Sequence, residues 1–203
     1  EVDYKKAFAL SCNSYFINMG LKMGYRNLVE MAERFGLGAP TGIKEQGIHE
    51  ASGNLPDPQR YYSGGDIANI SIGQGEIMAT PIQVANIGAT IANGGIKNQV
   101  NIVDSIIDEN GNKVRDLRNK RGERIISKDI SDIIKSMMEE VTIAGTGTRA
   151  NLEKYGGAAG KTGSAETSRS DIVHAWFAGY FPKNNPKYSM AVFVENGQNG
   201  GRV

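Results

Sequence analysis

Two short clusters in this sequence carry side chains suited to moving an acyl group: Ser11-Cys12-Asn13, and Lys161-Thr162-Gly163-Ser164. Acyl transfer by a serine needs a nucleophile, a group that takes and returns a proton, donors for the developing oxyanion and a clamp for the substrate. A hydroxyl beside a lysine ammonium can relay a proton while the cation steadies negative charge. Hydroxyls next to a lysine can hold a carboxylate. The edge of a strand can offer a backbone N–H to an oxyanion, and Gly163 removes a side chain where a substrate approaches that strand. Each cluster also has a plain structural reading. Ser11 and Asn13 can cap a helix end, and Lys161-Thr162-Gly163 can be a solvated strand end. Together the two clusters supply every component except the nucleophile.

Other chemistries find less support. There is no Gly-x-Ser-x-Gly elbow and no His-Glu-x-x-His helix. The run from Gly156 to Thr162 resembles a phosphate-binding loop, but only three residues separate Gly156 from Gly160, where four are required. That leaves nucleotide binding as a minor alternative. One cysteine, Cys12, and two histidines, His49 and His174, cannot build a cysteine-rich zinc site or an internal disulfide. Lys plus Arg number 23 and Asp plus Glu 22, so the net charge of +1 gives no reason to expect nucleic acid as a partner. The basic stretch Arg115, Arg118, Lys120, Arg121 and Arg124 is interrupted by Asp116 and Glu123 and reads as a solvated loop. No run of 18 apolar residues is present, and no signal peptide is visible.

The elements that must position the two clusters follow from periodicity. Residues 3–19 read as a helix broken near Ser11-Cys12-Asn13. Residues 25–35 read as a second, with Leu28, Met31, Ala32 and Phe35 on one face and Gly36 as its cap. Residues 36–78, rich in Gly, Pro, Ser and Asn, read as a long surface excursion. Thr80-Pro81 opens a helix carrying Ile82, Ala85, Ala89 and Ala92 on one face, stopped by Gly94-Gly95. Residues 100–117 read as a hairpin around Asn110-Gly111, a pair that favours positive backbone angles in a tight turn. Ser127 caps a helix to about Val141, with Ile130, Ile133, Ile134, Met137, Met138 and Val141 as its stripe. Runs 158–165, 173–181 and 188–195 read as an antiparallel meander, the last two joined by a Pro182–Pro186 turn.

With Ser-x-Asn and Lys-Thr-Gly in this order, the chain resembles the penicillin-binding protein and serine β-lactamase superfamily, whose sites combine these motifs with Ser-x-x-Lys. Ala9–Phe16, Asn69–Glu76, Ala79–Gln83, Ile91–Gly95 and His174–Tyr180 resemble the corresponding text of class B penicillin-binding proteins, and the Ile-Gly-Gln-Gly-Glu form leans towards their elongation-type members. The resemblance covers most of the chain. It implies an α+β, β-lactamase/transpeptidase-like fold with a central antiparallel sheet flanked by helices, residues 1–203 being part of one transpeptidase domain truncated at both ends. It implies a D,D-transpeptidase that cross-links peptidoglycan stem peptides ending in D-Ala-D-Ala, is a target of β-lactam antibiotics, and works with cell-wall elongation proteins. Its place would be the extracytoplasmic face of the bacterial cytoplasmic membrane, anchored by a segment absent here. No metal and no organic cofactor is implied.

By the same resemblance Ser11 relays protons with Lys161, Asn13 bonds the substrate amide, and Thr162 and Ser164 hold a terminal carboxylate. The Ser164 N–H forms half of the oxyanion hole. One departure stands out: no serine in the chain has a lysine three residues on. The nucleophile is expected before Glu1, the C-terminal helix after Val203, and the fragment is expected to be inactive alone. A D,D-carboxypeptidase or β-lactamase of the same superfamily, or a non-catalytic penicillin sensor or scaffold, remains an alternative.

Overall fold

A computed structural model of the chain describes residues 2–43, 47–117, 122–150, 152–167 and 172–201. The first helical stretch divides as its sequence suggests. Helix α1 (Tyr4–Ala9) is capped by the Asp3 carboxylate, and α2 (Asn13–Met23) runs on past Gly20. Helix α3 (Tyr25–Phe35) ends at Gly36 in the left-handed conformation. Its most buried side chain is Val29, whereas Met31, expected on the apolar face, is exposed.

The excursion over 36–78 contains a helix that its composition conceals. Helix α4 (Gly64–Ser71) starts in a reciprocal capping box, in which Ser63 and Asp66 bond each other's backbone N–H. It packs on α2 at one close point. A Cβ on Gly20 would lie 1.7 Å from Ser71 Oγ, so only glycine admits α4 there. The excursion is also tied to the core by one amide. Gln83, in helix α5 (Pro81–Ala92), is 2% exposed. Its Oε1 accepts the Thr80 N–H and its Nε2 donates to the carbonyls of Ala39 and Ser52, each at 2.8 Å. Thr80 and Pro81 open α5 as expected, but the buried residues are Gln83, Gly88, Thr90 and Ile91 rather than the Ile82/Ala85/Ala89 line.

Strands β1 (Ile96–Lys97) and β4 (Glu123–Arg124) form a short pair, as do β2 (Ser105–Ile107) and β3 (Lys113–Asp116). The β2–β3 hairpin is tighter in extent than the expected 100–117, and its turn is longer. Asp108 Oδ1 accepts the N–H groups of Asn110 and Asn112, only Gly111 of the Asn-Gly pair has positive φ, and the register shifts between Ile106 and Ile107. The carboxylate thus replaces a two-residue turn by a bulged loop. Arg115 is exposed, Arg124 donates to the Gly94 and Ile126 carbonyls, and Arg118, Lys120 and Arg121 lie outside the described residues.

Helix α6 (Lys128–Ala144) is capped by Ser127, but its stripe is rotated from the expected one. Met138, Val141, Ser131 and Thr142 are buried, whereas Ile130 and Ile133 are exposed. Ser131 tolerates burial because its hydroxyl donates to the Ile91 carbonyl at 2.6 Å. The meander is β5 (Ala159–Glu166), β6 (Val173–Phe181) and β7 (Tyr188–Val194), antiparallel in the order β5-β6-β7. Ile91 of α5, Met138 of α6, Ala159 and Tyr180 form a buried cluster, with Phe8, Phe35, Ile87, Ala92 and Ile134 packed around it. Helices and antiparallel sheet together give an α+β architecture. No helix among the described residues is long and apolar enough to cross a membrane.

Replacing Gln83 by Ala should destabilise the full-length protein by about 3 kcal/mol in denaturant unfolding, because the Thr80 N–H and the Ala39 and Ser52 carbonyls each lose a hydrogen bond to a buried side chain. Gln83→Glu should cost a similar amount, since a carboxylate cannot donate to Ala39 and Ser52. Wild-type stability in either variant would refute the tether.

Candidate active site

A groove of about 870 Å³ lies between three walls and collects both clusters. One wall is the break between α1 and α2. There the Ser11 N–H donates to Phe8 O and the Cys12 N–H to Ala7 O, the paired bonds of a Schellman helix ending. That ending demands a left-handed residue just past the cap, usually glycine. Here it is Ser11, with φ of 55°. A non-glycine residue in this conformation costs about 1 kcal/mol or more. The hydroxyl is therefore held at a strained position, exposed to the groove. Asn13 follows as the first residue of α2, also exposed and lining the groove.

The second wall is the end of α4, with Asn69 and Ser71, and the turn after it, with Ile72, Gln74 and Gly75. Glu76 anchors this turn. Its carboxylate meets Arg60 Nη1 at 2.7 Å and the Tyr62 hydroxyl at 3.3 Å, and its carbonyl accepts from Asn54 Nδ2. The third wall is the outer edge of β5. The carbonyls of Ala158, the residue before β5, and of Thr162 and Ser164 within it accept from Thr142 Oγ1, Lys161 Nζ and Gln74 Nε2 respectively. Each acceptor is an even-numbered residue, so these residues turn their backbone N–H and C=O to the free edge while odd-numbered ones face β6. The N–H of Ser164 is on the groove side by the same rule.

Lys161 joins two walls. Its Nζ donates to Ser11 Oγ at 2.5 Å and to Thr162 O at 2.8 Å, and lies 5.8 Å from the centre of the Phe8 ring. Burial draws its ammonium down from the usual 10.5 to about 8. Thr162, 9% exposed, shares a 2.6 Å hydrogen bond with Thr146 Oγ1. The Thr146 N–H donates to Ala9 O, and the approach is so close that a Cβ on Gly145 would lie 2.3 Å from that carbonyl. Ser164 is exposed, and its Oγ accepts the Gly200 N–H at 3.3 Å. A Cβ on Gly163 would meet only Trp176 Cβ, at 3.3 Å, so internal packing gives a weak reason for glycine there.

Ser11, Asn13, Lys161, Thr162, Gly163 and Ser164 thus line one groove, although 150 positions separate Ser11 from Lys161. Sequence reasoning gave Thr146 and Gln74 no role; for Gln74 the flanking Gly73 and Gly75 were a usable signal. Lys161 lies inside a strand, where a phosphate-binding loop would lead into a helix. Among the described residues no three His, Cys, Asp or Glu side chains converge as metal ligands would.

The model of the penicillin binding protein transpeptidase domain matches residues 1–203. The chain belongs to this family. It is 32% identical to the peptidoglycan D,D-transpeptidase PbpA of Mycolicibacterium smegmatis, over 97% of this chain but 39% of that protein. It is 29% identical to the peptidoglycan D,D-transpeptidase MrdA of Acinetobacter baumannii, over 98% of this chain and 32% of that protein. Penicillin-binding protein A from M. tuberculosis, solved as a penicillin G acyl-enzyme complex, superimposes with a TM-score of 0.85 at 28% identity, over 98% of this chain and 44% of that one. The chain thus falls among the class B penicillin-binding protein transpeptidase domains, with the β-lactamase/transpeptidase-like fold, and it spans well under half the length of these relatives.

Two outcomes test the site's physics. Ser11→Gly should be more stable than Ser11→Ala by about 1 kcal/mol, because only the first relieves the left-handed strain; equal unfolding midpoints would refute that strain. The second concerns pH. The folded chain releases the Lys161 proton near pH 8 and the unfolded chain near 10.5. Between those values the folded state binds fewer protons, so stability rises with pH. The wild-type unfolding midpoint should therefore gain on that of Lys161→Met from pH 8 to 10.5; parallel curves would mean an ordinary, solvated lysine.

Proposed function

We propose that residues 1–203 are part of the transpeptidase domain of a penicillin-binding protein that cross-links peptidoglycan through a serine acyl-enzyme. The nucleophilic serine comes from a Ser-x-x-Lys segment outside this sequence. The observation that carries the reading is the Lys161–Ser11 hydrogen bond, which joins Ser-x-Asn to Lys-Thr-Gly in one groove. The acyl-enzyme described for the M. tuberculosis protein and the names of the PbpA and MrdA relatives support it.

In the proposed reaction the serine oxygen attacks the penultimate D-alanine carbonyl of a stem peptide. An ester forms, the C–N bond to the terminal D-alanine breaks, and the released amine takes up the proton given up by the serine. An amine of a neighbouring stem then attacks the ester and restores the hydroxyl. Lys161 and Ser11 carry the proton near the leaving group, aided by a lysine whose affinity for protons is lowered by burial. Asn13 bonds the substrate amide. Thr162, steadied by Thr146, and Ser164 hold the terminal carboxylate, with Lys161 supplying positive charge. The Ser164 N–H is one oxyanion donor. A β-lactam enters as a substrate mimic and stays as a stable acyl adduct. On this reading the protein works on the extracytoplasmic side of the membrane, where peptidoglycan lies, alongside elongation proteins.

Intact mass after penicillin treatment of the full-length protein tests this. The expected result is one penicilloyl adduct, on an upstream serine with a lysine three residues on. Lys161→Ala should slow its formation roughly 100-fold or more, the scale of a lost acid–base group. No adduct on a folded protein would overturn the reading. An adduct formed without any cross-linked product would assign the fold to penicillin sensing instead, and an unchanged rate in Lys161→Ala would remove that residue from the mechanism.

A further inference from the structure

Among the described residues β5 is the edge strand of the meander, and the free edge of a strand is a template for one more. An extended peptide in the groove can donate an N–H to the Ser164 carbonyl and accept the Ser164 N–H, adding itself to the sheet. That carbonyl is already engaged. Gln74 Nε2 donates to it at 3.0 Å, from the opposite wall of the groove. The turn carrying Gln74 is held from behind, by Gln74 N–H to Asn69 O at 2.9 Å and by Glu76 on Arg60, Tyr62 and Asn54. The backbone is therefore fixed while the side chain spans the groove. A side-chain amide donating to a carbonyl is chemically the same contact as a peptide N–H donating to it.

We propose that Gln74 is a specificity-determining residue: its amide occupies the Ser164 carbonyl in place of a ligand N–H, yields to ligands that bring one, and keeps the carbonyl covered for ligands that do not. The proposal rests on the acyl-transfer reading above. It predicts opposite responses in two ligand classes. A ligand bearing the N–H must displace Gln74, so loss of the glutamine removes a competitor. A ligand without the N–H keeps the Gln74 bond, so loss of the glutamine strands the carbonyl beneath it.

The test uses the full-length protein, its Gln74→Ala and Gln74→Glu variants, and two probes: penicillin G, which carries a side-chain amide N–H, and penicillanic acid lacking that substituent. The second-order rate of acylation is measured for each. The ratio of the penicillin G rate to the penicillanic acid rate should rise roughly two- to tenfold in both variants, the range of one net hydrogen bond. Neither Ala nor Glu can donate, so the two variants should agree. An unchanged ratio, with or without a fall in the absolute rates or the unfolding midpoint, would make Gln74 a structural strut and overturn the proposal. The wild type separates this from the parent reading: no adduct there overturns acyl transfer itself, whereas normal wild-type acylation with an unchanged ratio overturns only the role of Gln74.

Discussion

The hydrogen bond from Lys161 Nζ to Ser11 Oγ is the contact on which the groove depends. It asks for a hydroxyl pointing out of a helix break and a lysine on an edge strand, brought together from distant parts of the chain. The break supplies the first by ending α1 with a left-handed serine where glycine would be easier. The strand supplies the second only if α1 lies against β5, and the Gly145-Thr146 segment makes that approach possible by bonding Ala9 on one side and Thr162 on the other. A strained backbone, a close glycine contact and a partly dehydrated cation all converge on one hydroxyl. Costs concentrated in this way are expected where function, rather than stability, sets the geometry.

The same strand raises a second problem, that of an open sheet edge. Proteins commonly blunt such edges with proline, charge or a covering element. Here three outward carbonyls, that of Ala158 just before the strand and those of Thr162 and Ser164 within it, are each met by a side chain. Their donors come from α6, from the strand itself and from the turn after α4. The edge is thereby satisfied while staying reachable, because a side-chain donor can be exchanged for a ligand donor in a way that a paired strand cannot. Depth decreases along this series: Thr142 is buried beside Ala158, whereas Gln74 stands over an exposed Ser164. Exchange is easiest at the exposed end.

Much of this architecture was legible in the sequence where the signal is local. The helix break at Ser11–Asn13, the Thr80-Pro81 start of α5, the Ser127 cap and the meander are all set by residues within a few positions of one another. The clusters that line the groove could be paired only because the family resemblance joined them. What escaped was decided at a distance. Helix α4 was hidden by Gly64-Gly65, although Ser63-x-x-Asp66 announced its capping box. The apolar stripes of α5 and α6 were misphased because Gln83 and Ser131 are buried in place of apolar neighbours, and both can be so because backbone acceptors elsewhere receive them. Thr146 carries no motif at all. Its importance arises from the meeting of three separated segments, which no local pattern records.

Register is the remaining condition on the site. Side chains alternate along β5, so a slip of one residue against β6 would put Thr162 where Lys161 meets Ser11 and would turn the Ser164 backbone away from the groove. The meander resists such a slip at the Gly160–Gly179 pair. A Cβ on Gly160 would lie 2.4 Å from the Phe177 ring, and one on Gly179 would lie 2.2 Å from the Ala159 carbonyl. Only in the observed register do these two glycines fall opposite each other, so a one-residue shift would bring a larger residue into one of these contacts. Ser189 adds a constraint from the third strand, since its hydroxyl donates to Ala85 O on α5 while Tyr188, Met190 and Val192 alternate onto the other, more exposed face. The pairing that positions the lysine is thus selected by residues that never enter the groove.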